Sequence, residues 1–257
     1  MKLVTWNVNS LKVRLPQVID WLMANQPDVL CLQETKLQDE NFPIAEIAAA
    51  GYQAAYAGQK TYNGVALLSK QMGGEIVSAI PALDDHQKRV LAATYGDVRV
   101  ICIYVPNGEN VESEKYRYKL KWLAALNVWL RDELRKHPKL VLLGDFNIAP
   151  EERDVHDPEL WRGQVLFSQP EREAFHKLLN LGLVDSFRLF EQPEKSYTWW
   201  DYRMMAFRRN MGMRIDHILL SNELAKACTA CVIDKAVRKL ERPSDHAPVV
   251  VELAAQP

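Results

Sequence analysis

The chain has little cysteine: four in 257 residues, at Cys31, Cys102, Cys228 and Cys231. So few, so scattered, they exclude a disulfide scaffold. Cys31 and Cys102 lie inside apolar runs, where a free thiol serves as a small hydrophobe. Cys228-x-x-Cys231 has no second pair or nearby histidine to complete four zinc ligands, which weighs against a metal or redox role. No apolar stretch approaches the length of a membrane span. Met1-Lys2 leads directly into Leu3-Val4-Thr5-Trp6-Asn7, so no signal peptide is expected before the fold. Surplus charge is lacking too. The net value of −1 excludes a broadly basic surface and leaves polyanion binding to local patches. Linkers rich in Gly, Ser or Pro are missing, as are repeats with a period of roughly 20–50 residues. At 48% hydrophobic residues, the chain can bury a large core. The expectation is a soluble, cytosolic, monomeric single domain over residues 1–257, with no membrane partner.

Short apolar runs supply strand candidates at 2–8, 28–33, 64–69, 90–95, 98–105, 139–145, 215–220 and 247–253. The adjacent runs 90–95 and 98–105 read as a hairpin. Helices are expected over 14–25, stopped by Pro27, over 113–136 with Ser113 as N-cap, and over 171–181, ending at Gly182. The loops 148–170 and 193–214 are long, and long loops inside a compact domain are usually functional. Uneven alternation of strands and helices favours an α/β fold of mixed sheets with helices outside.

The most informative run is Lys139-Leu140-Val141-Leu142-Leu143-Gly144-Asp145-Phe146-Asn147. It reads as a strand buried on both faces, ending in a carboxylate and an amide at the sheet rim. Side-chain alternation would put Asp145 and Asn147 on one side, roughly 6.5–7 Å apart along the strand. An Asx turn is the competing local reading. Other strand ends are similarly polar: Asn7 and Asn9, Gln33-Glu34-Thr35, Tyr104 with Asn107, Asp216-His217, and Asp245-His246. Singly, each has a structural explanation as a turn former, a surface acid or a loop ion pair. Six together on one rim would place four carboxylates, Glu34, Asp145, Asp216 and Asp245, in one cleft. Such charges repel unless cations neutralise them. Oxygen and amide donors without a thiolate cluster suit Mg²⁺ or Mn²⁺, and such a site fits phosphodiester hydrolysis.

Five segments, Trp6-Asn7-Val8-Asn9-Ser10, Leu32-Gln33-Glu34-Thr35-Lys36, Gly144-Asp145-Phe146-Asn147-Ile148-Ala149-Pro150, Arg214-Ile215-Asp216-His217 and Ser244-Asp245-His246-Ala247-Pro248, occur in order along the chain. Together they resemble the signatures of exonuclease III-type apurinic/apyrimidinic endonucleases, in the endonuclease/exonuclease/phosphatase superfamily. The resemblance implies a four-layered α/β sandwich of the deoxyribonuclease I-like kind, with two mixed sheets face to face and helices outside. It implies a Mg²⁺-dependent DNA repair nuclease, with Mn²⁺ as a substitute, that cuts 5′ to abasic sites in duplex DNA. Removal of nucleotides or blocking groups from recessed 3′ ends is implied as well. Glu34 would be the principal metal ligand, with Asn7 contributing, Asp145 and Asn147 nearby and Asp245 beside the ion. Asp145 would position or deprotonate the attacking water, and Asn147 would hold water and phosphate. His246 would contact the scissile phosphate, oriented and kept protonated by Asp216. Tyr104 would sit near the phosphate or leaving group.

For holding DNA, Lys115, Arg117, Lys119 and Lys121 recur every second residue, a spacing that spreads around a helix and reads mostly as a solvated face. Segment 197–214 differs: Arg203, Arg208, Arg209 and Arg214 interleave with aromatics and methionines. Guanidinium groups bind phosphate, and apolar wedges can support a missing base, although a core aromatic cluster is the plainer alternative. By resemblance, Trp199, Met213 and Ile215 would line a pocket for a base-free sugar, Arg203 would reach into the duplex, and Asn107 would contact phosphate. His156, in the loop beyond the catalytic run, is expected to restrict access and bias 3′-end trimming against internal cleavage; an ordinary surface histidine is the alternative. Two other functions stay open: a superfamily relative acting on phospholipid or inositol phosphate, and a catalytically silent DNA-binding protein.

Overall fold

The apolar runs pair into two six-stranded mixed sheets. The strands are β1 (Lys2–Asn7), β2 (Val29–Gln33), β3 (Gln53–Ala57), β4 (Val65–Ser69), β5 (Gly74–Val77), β6 (Val90–Tyr95), β7 (Val98–Tyr104), β8 (Leu140–Asp145), β9 (Leu183–Asp185), β10 (Trp199–Trp200), β11 (Gly212–Met213), β12 (Asp216–Ser221), β13 (Cys228–Ile233) and β14 (Val249–Leu253). The helices are α1 (Leu11–Asn25), α2 (Ile44–Ala49), α3 (Glu114–Lys136), α4 (Pro158–Trp161), α5 (Gln169–Leu179) and α6 (Asn222–Ala225). This computed structural model describes residues 1–254; residues 255–257 of the expected domain lie outside the described residues. One sheet has the order β13-β14-β1-β2-β4-β3, the other β5-β6-β7-β8-β12-β9, and β10 pairs with β11 as a small ribbon.

Period-two alternation divides each central strand between two cores. Leu3, Cys31, Leu67, Val100, Cys102, Val141, Leu143, Ile218 and Val251 face the other sheet. Their neighbours face helices: Val4, Leu30 and Leu32 meet Val18 and Leu22 of α1, and Ile101, Leu140 and Leu142 meet Trp122, Leu126 and Leu130 of α3. The result is the expected four-layered α/β sandwich. Burying each large aliphatic side chain here contributes about 1.5–3 kcal/mol.

The eight strand candidates correspond to β1, β2, β4, β6, β7, β8, β12 and β14, with bounds shifted by a residue or two. The expected hairpin forms, with β6 antiparallel to β7. Strands β3, β5, β9 and β13 escape a search for apolar runs, because they are short or lie at sheet edges with half-exposed faces. Ser113 caps α3 as expected, its hydroxyl accepting from Tyr116 N–H at 3.0 Å. Two helix boundaries need correction. Helix α1 starts at Leu11, carries Pro16 inside, and ends before Pro27 at a left-handed Gln26. Helix α5 starts at Gln169, because Ser168 and Glu171 form a reciprocal capping box. The long loops are also structured: 148–170 contains α4, and 193–214 contains the β10–β11 ribbon.

Candidate active site

The face of each strand that points between the sheets is apolar along its length and turns polar at one end. In β8 the series Val141, Leu143 continues to Asp145; in β12, Leu220 and Ile218 lead back to Asp216; in β7, Val100 and Cys102 lead to Tyr104. Register puts these three in one row, since Asp145 pairs with Asp216 on one side and with Tyr104 on the other. The opposite sheet contributes Asn7 from β1, in register with Gln33 of β2, and Glu34 follows at once. Gly144 permits the close approach of β7, for a Cβ there would stand 1.9 Å from the carbonyl oxygen of Ile103.

The two sheets meet through Asn7, whose Nδ2 donates to Glu34 Oε1 and to Asp145 Oδ2, each at 2.9 Å. His246 arrives from the segment before β14, its Nδ1 donating to Asp216 Oδ2 at 2.8 Å while Nε2 stands 3.8 Å from Asp145 Oδ2. Asp216 is fixed in turn, its backbone N–H donating to Thr198 Oγ1 at 3.1 Å. Asn147 does not continue the strand. Its φ is +50° and its N–H donates to Asp145 Oδ1 at 2.9 Å, an Asx turn. The two side chains therefore come together through the turn and not through the strand alternation expected, so the Asx-turn reading of the run holds. Asn147 Nδ2 donates to Val105 O at 2.9 Å, and Asn107 Nδ2 to Asn147 Oδ1 at 3.2 Å. Glu34 also sits at positive φ, +52°. Strain of this kind costs on the order of 1–3 kcal/mol per residue and persists where its surroundings fix it; here Ser10 N–H binds Glu34 O at 2.8 Å and Thr35 N–H binds Gly64 O at 3.2 Å.

Burial and mutual charge set the protonation states. Burial pushes Asp145 up to about 7, aided by the charges of Asp216 and Glu34 and opposed by His246 and Asn7. For His246 burial pulls downward, but Asp216, Asp145 and Asp245 overcome it and lift the imidazole to about 10. Burial, with the charges of Glu34 and Asp145, raises the Tyr104 phenol well above 10, so it keeps its proton. Asp245 is half-buried, and His246 with bonds from Asn9 and Trp199 outweigh the effect of that burial and hold it below the usual carboxylate range. One oxygen each of Glu34 and Asp145 and one nitrogen of His246 lie within 4.8 Å of one another. A protonated His246 is no ligand, which leaves the carboxylates of Glu34 and Asp145; Asn7 turns its Nδ2 to both of them, while its Oδ1 accepts from Asn9 N–H at 2.9 Å. That all-oxygen set fits a hard divalent cation.

The endonuclease/exonuclease/phosphatase family model matches residues 4–246. The chain belongs to that family. It is 38% identical to exodeoxyribonuclease III of Haemophilus influenzae, over 98% of this chain and 99% of that protein. Among solved structures it is similar to a Neisseria 3′ phosphatase, NExo, bound to a product DNA hairpin, at 50% identity and a TM-score of 0.98, covering 99% of this chain and 100% of that one. An AP endonuclease from Archaeoglobus fulgidus is similar at 38% identity and TM-score 0.96, with 99% and 100% covered.

In this family member the candidate DNA-contacting residues are unequally available. Asn107 and Arg203 are exposed, and Arg203 is paired with Asp201 at 2.7 Å. Trp199 is half-buried, its Nε1 donating to Asp245 Oδ2 at 3.0 Å. Met213 and Ile215, expected to line an apolar pocket with Trp199, have almost no exposure. Both are buried in an apolar cluster with Ala149, Val155, Leu166 and Phe167, because β11 is pinned between β10 and the 148–170 loop. His156 lies beside that cluster, its backbone N–H and Nδ1 both on Gly212 O, at 3.1 and 3.2 Å. Arg214 is no phosphate ligand here, being buried against Asp154 and Asp185. Trp200 is likewise core. Cys228 and Cys231 are free, and Ser186 Oγ donates to Cys231 Sγ at 3.2 Å.

Three polar residues joined to the site carried no assigned role in the sequence reading. Lys36 Nζ bridges Asn9 Oδ1 at 2.5 Å and Glu34 Oε2 at 2.9 Å, while Asn9 Nδ2 donates to Asp245 Oδ1 at 2.9 Å. The third, Lys119, is fully buried, unlike its exposed neighbours Lys115, Arg117 and Lys121. A signal existed, since Lys119 lies three residues after Tyr116 and four before Leu123, on the buried stripe of α3.

Proposed function

We propose that the chain is a Mg²⁺-dependent DNA repair phosphodiesterase that trims 3′ ends, removing nucleotides or 3′ blocking groups, and cuts duplex DNA 5′ to abasic sites. One observation carries the reading: a buried row of Tyr104, Asp145 and Asp216 faces Asn7 and Glu34 across the sheets, with a charged His246 held between two carboxylates. The named relatives support DNA as the substrate: an exodeoxyribonuclease, a 3′ phosphatase on a DNA hairpin, and an AP endonuclease. No helix of the described residues is long and apolar enough to cross a membrane, and the enzyme is read as a cytosolic monomer.

The residues divide the work. Asp145, facing His246 across 3.8 Å, takes a proton from the attacking water. His246 presents a positive charge to a phosphoryl oxygen, and Asp216 keeps that charge and aims the ring. The amides of Asn147 and Asn107 hold the phosphate, and the protonated Tyr104 donates toward it. The water oxygen bonds to phosphorus as the P–O3′ bond breaks, and the departing O3′ takes a proton from solvent, leaving a 3′ hydroxyl and a 5′ phosphate. Glu34 would hold Mg²⁺, with Asn7 and Asp145 at hand, and the bound ion would supply Lewis-acid charge to the phosphate oxygens. His156, held on Gly212 O one residue before Met213, is taken to bias the choice between internal cleavage and 3′-end trimming.

The test uses a duplex with one abasic analogue, a recessed 3′ end and a 3′-phosphate end, each with Mg²⁺ or with chelator. Cleavage that stops on chelation is expected. Inactivity on all three with turnover of a phosphoinositide would transfer the function to lipid headgroups.

A further inference from the structure

A lysine with no solvent exposure has to spend its charge on something specific. Lys119 Nζ has three hydrogens and three partners: Asn107 O at 3.0 Å, Asn147 O at 2.6 Å and the carboxylate of Glu171. Asn107 and Asn147 stand on the loops after β7 and β8 that carry the phosphate-holding amides. Glu171 is saturated in turn by Leu166 N–H and Ser168 N–H, each at 3.0 Å, and by the Ser168 hydroxyl. Leu166 O accepts Ala149 N–H at 2.8 Å, which closes a ring through Asn147 and Ile148.

We propose that Lys119, neutralised by Glu171, is a positioning residue that fixes the Asn107–Asn147 amide pair against the scissile phosphate. This rests on the phosphodiesterase reading above, in which those amides hold the phosphate. A buried ion pair contributes little to folding that a well-packed apolar pair would not, so stability alone gives no reason for a lysine here. The two carbonyls do. Moving Asn147 O off the ammonium leaves a donor unpaired in a dry site, and this holds the left-handed Asn147 in place. The pyramidal ammonium also reaches three partners on different elements, a geometry that a planar guanidinium does not reproduce.

Lys119→Met and the double variant Lys119→Met with Glu171→Gln are compared with wild type by urea unfolding and by kcat and KM on the abasic duplex and the recessed 3′ end. Wild-type inactivity on both would refute the phosphodiesterase reading itself; the variants then bear on positioning only relative to an active wild type. Lys119→Met strands a buried carboxylate and should lose both stability and turnover. The double variant removes the stranded charge but sets an amide NH₂ against Leu166 N–H or Ser168 N–H, so it should regain only part of the stability, while kcat stays down by about 10²-fold, the cost of a misplaced reacting group. Its KM should hold within about threefold, since ground-state contacts are spread widely. Recovery of kcat together with stability would overturn the proposal, because the pair would then serve the fold alone. A double variant that cannot fold would overturn it too.

Discussion

Asp216→Asn removes one charge from the site and leaves its shape almost intact. Asp216 Oδ2 accepts from His246 Nδ1 at 2.8 Å, while Oδ1 is buried with no partner. Thr198 Oγ1 holds the backbone of Asp216, so an asparagine can keep the bond to His246 and turn its amide nitrogen to the vacant side. What changes is electrostatic. His246 is lifted from 6.5 to about 10 against the pull of burial, with Asp216 the largest of the three charges that do so. At about 1.4 kcal/mol per pH unit, the whole lift is on the order of 5 kcal/mol, and Asp216 supplies the largest share. A group raised in the folded state stabilises the protein fully below pH 6.5 and loses that contribution as pH climbs through about 10. Metal-free wild type should therefore weaken in urea between pH 7 and 10, and Asp216→Asn should flatten that slope. Asp145 does not blur the window, because its raised pKa of about 7 changes stability only between 3.8 and 7. Imidazole NMR titration should place His246 at least one pH unit lower in the variant. Loss of a charge-assisted bond worth about 1.5–3 kcal/mol should cost roughly 10–10²-fold in kcat at pH 8. If His246 titrates unchanged, or the variant turns over at the wild-type rate at pH 8, Asp216 is not what charges the histidine.

Asp145→Asn should lower kcat by about 10²–10⁴-fold while DNA binding in chelator stays largely intact; lost binding would make the aspartate a structural or metal-holding group first. His156→Gly should raise internal cleavage at the abasic analogue relative to 3′-end trimming, and an unchanged ratio would sink its gating role. Gly144→Ala forces a methyl to within 1.9 Å of Ile103 O, so a destabilisation of about 3–5 kcal/mol by urea unfolding is expected. A loss under about 1 kcal/mol would mean that β7 and β8 part easily.

The sheets were legible where a strand is buried on both faces, because continuous apolar runs such as Val29–Gln33 and Leu140–Asp145 leave few alternatives. They were illegible at the edges. Strand β13 reads Cys-Thr-Ala-Cys-Val-Ile and is held by its pairing with β14, a partner distant in sequence. The site divides similarly. Asn7, Glu34, Asp145, Asp216 and His246 stand in compact motifs at strand ends, and strand-end position is a local property. Lys119 and the Lys36–Asn9–Asp245 bridge depend on which loops meet, and neighbouring residues do not encode that. Met213 and Ile215 show the converse: their motif is local, but their burial is set by the 148–170 loop folding over them. On the proposed reading, an abasic sugar has to displace part of that apolar wall, whereas Asn107 is exposed. If the proposed gating role of His156 holds, the packing around His156 and Leu166 decides which reaction proceeds faster, and the His156→Gly ratio reads that directly.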